Sequence, residues 1–115
     1  MKERKNRITV IEFPVFSGYL IHVEFCSDIK KTIKKYPGLE DFDTTDAAAI
    51  TMHVKDDGFT FLFFRHNASI EHLVHESWHA VKRMMDYVGV EIDSETVAYH
   101  LGYLVGEIFK FKRQR

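Results

Sequence analysis

The hydrophobic pattern of this chain changes period at Ser69, and that change limits the fold more than any other feature. Upstream, "RITVIEFPVF", "YLIHVEF" and "AITMHVKDDGFTFLFF" are rich in β-branched and aromatic residues, which suit a pleated, half-buried surface. Downstream, Ile70, Leu73, Val74, Val81, Met84, Met85 and Val88 recur at three- and four-residue steps, the stripe of a helix. Ser69 is its expected N-cap and Gly89 its C-cap. A last helix is expected from near Ser94 to about Phe111. Ser17-Gly18 and Asp56-Asp57-Gly58 are turn signals that divide the upstream segments into two hairpins, with Gly58 expected to take a positive φ. Pro14 cannot donate to a ladder and marks an edge or a bulge. "SDIKKTIKKYPG" reads as a short helix capped by Ser27 or Asp28 and stopped by Pro37-Gly38, and "LEDFDTTDAA" as an acidic loop. Strands and helices that are grouped rather than alternating give an α+β domain, with a mainly antiparallel sheet of about four strands packed against two helices and one further short helix.

One domain spanning residues 1–115 is the expectation at this length, with 45% apolar and 14% aromatic content. A formal charge of −1 argues against nucleic acid, which needs a basic excess. Half of the sixteen Lys and Arg lie in "MKERKNR" and "KFKRQR", either as solvated tails or as a joint patch if the ends meet. Cys26 is the only cysteine, so no intrachain disulfide forms and a reducing, cytoplasmic home is expected, with Cys26 packing as a small apolar residue. No apolar run approaches the roughly 20 residues that cross a bilayer, so no membrane is expected.

The downstream helix carries "EHLVHESWHAVKRMM", in which His75, Glu76 and His79 form the pattern H-E-x-x-H. Residues four apart share a helix face one turn apart, so both imidazoles can point a nitrogen at one ion, and Zn2+ is the metal that suits them. Glu76 is rotated by about 100° from His75 and can reach a water in an open position as a general base. A catalytic zinc takes a third protein ligand, for which Glu91, Asp93, Glu95 and His100 are candidates. Glu95, Ala98, Gly102 and Gly106 lie close to one stripe, and packing of its small residues on the preceding helix would carry Glu95 toward the histidines. Asp93 is the expected cap of the last helix. Tyr99, four residues after Glu95, is expected either to donate a hydrogen bond to an oxyanion or to pack; the same holds for Tyr103. His72 lies on the metal face one turn earlier and is expected at the surface, with His22, His53 and His66. Trp78 is expected to pack.

"HLVHESWH" followed closely by "DSETVAYHLGYLVGEI" resembles the zincin metallopeptidases, specifically the gluzincins and, in its brevity, the minigluzincins. It is also similar to small phage-encoded proteins of that type, which would place it in a host cytoplasm. The resemblance covers roughly residues 48 to 110. It implies that His75, His79 and Glu95 bind zinc and that Glu76 activates water. It also implies that the strand before the helix, Phe59 to Phe64, lies at the sheet edge and pairs with an extended peptide or protein substrate. The segment between His79 and Glu95 is short and the lower subdomain of the larger gluzincins is missing, so specificity does not carry over. The reading is a zinc hydrolase, a metallopeptidase. Its rival is a small interaction protein, of viral origin, with a structural or vestigial zinc site.

Overall fold

The computed structural model describes residues 5–14, 16, 18–39, 48–53 and 58–114. The acidic loop and the Asp56-Asp57 turn fall almost wholly outside them. In chain order the elements are β1 (Arg7–Glu12), β2 (Leu20–Cys26), α1 (Ile29–Ile33), β3 (Ala49–His53), β4 (Phe59–Arg65), α2 (Ile70–Val88) and α3 (Ser94–Arg113). The α+β class and the grouping of elements are as the periodicity predicts. Local chemistry sets the boundaries. The Asp28, Ser69 and Asp93 side chains each accept a backbone N–H at the start of a helix, and Gly89 ends α2 with φ 76°.

The four strands form one sheet in the order β1-β2-β4-β3. β1 and β2 pair antiparallel, as do β3 and β4, while β2 and β4 run parallel at the centre with Leu20 opposite Phe59. This corrects the expectation that β4 is the edge. Phe59, Phe61 and Phe63 cover one face of β4 and Leu62 and Phe64 the other, and a strand apolar on both faces is stable only where both are covered and both neighbours are present. The edge beside α2 is therefore the shorter β3, which carries the polar Thr51 and His53.

On one face of the sheet Ile21, Val23, Phe25, Leu62 and Phe64 pack against Leu73, Ala80, Met84, Leu104 and Ile108 of α2 and α3. On the other, Cys26, Met52 and Phe63 pack with Ile29 and Ile33 of α1. Burial pushes the Cys26 thiol above its ordinary pKa, consistent with an apolar role. The start of β1 meets the end of α3: the Arg7 guanidinium donates to the Phe111 and Lys112 carbonyls at 2.6 and 3.2 Å and lies over the Phe111 ring, so this basic residue closes the end of α3. No helix among the described residues is long and apolar enough to cross a membrane.

The inward face of α3 differs from the expected one. Val97, Leu101, Leu104, Ile108 and Phe111 turn toward the core, whereas Glu95, Ala98, Gly102 and Gly106 are exposed. A Cβ added at Gly102 or Gly106 would meet nothing within 4 Å. The reason is energetic. Burying a Leu or Ile side chain is worth about 1.5–3 kcal/mol in water, and small residues offer little area; close small-residue contacts dominate where that drive is absent, as in lipid.

Candidate metal centre

Along α2 the residues facing the sheet and α3 are Leu73, Glu76, Ser77, Ala80, Val81, Met84 and Met85, while His75 and His79 lie outside that arc. Glu76 stands on its border, 9% exposed, on the flank that meets β3. There the Thr51 hydroxyl donates to Glu76 Oε1 at 2.6 Å, which orients the carboxylate and leaves Oε2 turned to the histidines, 3.8 Å from His75 Nε2. The two imidazoles converge, Nε2 to Nε2 at 3.2 Å with their planes 74° apart.

The pair supplies two of the three protein ligands that a catalytic zinc takes. With zinc–nitrogen bonds of about 2.0–2.1 Å, an ion shared by two nitrogens at this separation would subtend an angle of about 103°, close to the tetrahedral arrangement zinc adopts. Both rings are exposed and can be reached from solvent. The same distance suits an N–H···N hydrogen bond in the metal-free pair, so metal and proton compete for one geometry.

A hollow of about 370 Å³ runs beside the pair, lined by Ala49, Ile50, Thr51 and His53 of β3 and by Glu76, His79, Lys82, Arg83 and Asp86 of α2. Burial, with the charge of Arg83 added, holds His53 below the ordinary histidine pKa. The sequence reading places His53 at the surface and assigns Thr51 no role. Alternation in "AITMH" puts the two on one face of the strand, but that this strand lies beside the H-E-x-x-H helix follows only from the sheet order.

Glu95 and Tyr99 are not brought to this hollow. Both line a separate depression with Phe16, Val90, Thr96 and His100, and Tyr99 is 55% exposed. The five-residue link at 89–93 sets the first turn of α3 beside the last turn of α2. His79 lies nine residues before Val88, about 13 Å back along the axis at 1.5 Å per residue. Glu95 is thus out of register with the pair, and among the described residues no three His, Cys, Asp or Glu side chains are grouped to hold a metal ion.

The other candidates have structural roles or none. Asp93 caps α3, its carboxyl held below the ordinary range by hydrogen bonds from Thr96. Glu91 is exposed. His100 is buried against Phe13 and Phe16, with Nδ1 donating to the Thr96 carbonyl at 2.8 Å. His72 is exposed and completes a capping box with Ser69. Trp78 is 38% exposed, so its packing is partial. His22, expected at the surface, is instead 8% exposed and paired with Glu24 at 3.1 Å. Comparison with known protein families, with curated proteins and with solved structures gives no match.

Proposed function

We propose that the chain is a zinc-dependent hydrolase acting on peptide bonds, with His75 and His79 as two of the metal's protein ligands and with Glu76 as general base. The observation that carries this reading is the convergence of the two Nε2 atoms at 3.2 Å beside a carboxylate whose free oxygen faces them. A zinc held there would supply Lewis acidity, polarising a carbonyl and making a water more acidic.

The chain's own residues do the rest. Glu76 Oε2 accepts a proton from the attacking water and returns it to the leaving amine, a role that contributes about 10²- to 10⁴-fold in rate. Thr51 fixes the carboxylate through Oε1, so no reorientation is needed when the proton moves. The outer side of β3 offers main-chain groups to an extended peptide, which would lie along the hollow past Glu76 and His79 with little demand on its sequence. Glu95 and Tyr99 have no part in this reading. A buried lone cysteine suits a cytoplasmic setting.

The test is hydrolysis of an unfolded protein by the zinc-loaded chain and its Glu76→Gln variant. The expected result is a loss of at least about 100-fold in rate with zinc content unchanged. A variant as active as the parent removes Glu76 from the mechanism. A parent that binds zinc and cleaves nothing across a broad peptide panel is the interaction protein instead.

A further inference from the structure

The opposite face of the sheet carries a second polar cluster, remote in the fold from the histidine pair. Glu24, 1% exposed, accepts from the Tyr36 hydroxyl at 2.5 Å and from His22 Nε2 at 3.1 Å through Oε1, and from Asn6 Nδ2 at 2.8 Å through Oε2. Its one ion-pair partner among the described residues is His22, which carries charge only when protonated, and no described Lys or Arg pairs with it. Next to this carboxylate lies a cluster of aromatic rings tilted against one another. His22 is 5.0 Å from Phe61 between ring centres, Tyr36 is 5.2 Å from Phe61, and Phe61 is 4.9 Å from Phe59. Tyr87 comes round the end of the sheet from α2 and rests on Gly58, where a Cβ would stand 3.2 Å from its hydroxyl.

These rings bound an open hollow of about 520 Å³, lined among the described residues by Tyr36, Phe59, Phe61 and Tyr87 with two glycines and Pro37, none of them cationic. Its size is that of a small-molecule site. Aromatic faces present negative potential, and the buried carboxylate behind Tyr36 and His22 adds to it, so charge selects a cation over a neutral or anionic guest. A primary ammonium would need hydrogen-bond acceptors, and Glu24, with three of its roughly four acceptor sites engaged by Tyr36, His22 and Asn6, does not line the hollow. A quaternary ammonium needs none. We infer that this hollow binds a quaternary ammonium head group, held by the faces of Tyr36, Phe59, Phe61 and Tyr87 in front of Glu24.

Choline titrated into the isotopically labelled protein, followed by the carbon–proton signals of the aromatic rings, tests it. The expected result is saturable movement of the Tyr36, Phe59, Phe61 and Tyr87 signals, with choline bound about tenfold tighter than 3,3-dimethylbutan-1-ol, which has its shape without its charge. Tyr87→Leu should weaken choline by about fivefold or more and the alcohol by much less, and Glu24→Gln should reduce the preference between them. Nε-trimethyllysine as a second probe distinguishes a modified side chain from a free head group as the source. Equal affinity for choline and the alcohol, or ring signals that do not move, overturns the inference. Should Glu24→Gln not fold, the Tyr87 variant decides, because half of that side chain is already in solvent.

Discussion

Glu24 is a charge placed inside the sheet's smaller core, and its partners determine how the fold answers to acid. Burial alone would raise its pKa, but hydrogen bonds from His22, Tyr36 and Asn6, with the charge on His22, together hold it below the ordinary carboxylate range. A carboxylate with a depressed folded pKa stabilises the fold fully above its unfolded value, about 4.3, and that stability is lost as pH falls through the folded value. Melting temperature should therefore drop as pH is lowered through about 4, and Glu24→Gln, less stable near neutrality, should show a shallower drop. Parallel calorimetric melts of both proteins over that range check this; parallel slopes contradict it. None of this was legible in "LIHVEF". Alternation puts His22 and Glu24 on one face, but what covers that face is Tyr36, fourteen residues from His22, and no local pattern encodes that contact.

At the scale of elements, α3 separates what is local from what is not. Its limits follow from Asp93 at one end and from the apolar period in between, both readable in the sequence. The side it turns inward is not the Gly and Ala stripe that the sequence suggests, because the Leu101–Leu104–Ile108 stripe buries far more area. A testable consequence has a definite sign. Gly102 is exposed in a helix interior, so Gly102→Ala should stabilise the protein by about 1 kcal/mol. Leu104→Ala, by contrast, should cost about 2–5 kcal/mol. Denaturant midpoints measure both, and a destabilising Gly102→Ala would restore the close-contact reading. β4 carries a similar lesson. Its apolarity on both faces already argued for an interior strand, against the edge position that the resemblance implied.

Over the whole molecule, sheet order does what no single segment does. The parallel pairing of β2 with β4 pushes β3 to the edge, and β3 brings Thr51 against Glu76 across twenty-five residues of sequence. The H-E-x-x-H helix and its caps were legible because they are local; Thr51 was not, because its role depends on that order. Thr51→Val removes the hydroxyl from a nearly buried carboxylate, so it should cost about 1–3 kcal/mol of stability and slow hydrolysis while leaving zinc affinity near the parent's. Thermal melts and chelator competition on the same variant separate the two effects.

The claim on which the functional account rests is that His75 and His79 form the metal centre without Glu95, and competition with a chromogenic zinc chelator tests it most directly. The account predicts one zinc per parent chain, affinity lower by about 100-fold or more in His79→Ala, and parent-like affinity in Glu95→Ala. A His79→Ala protein that holds zinc as tightly as the parent, or a Glu95→Ala protein that loses it as His79→Ala does, would contradict it.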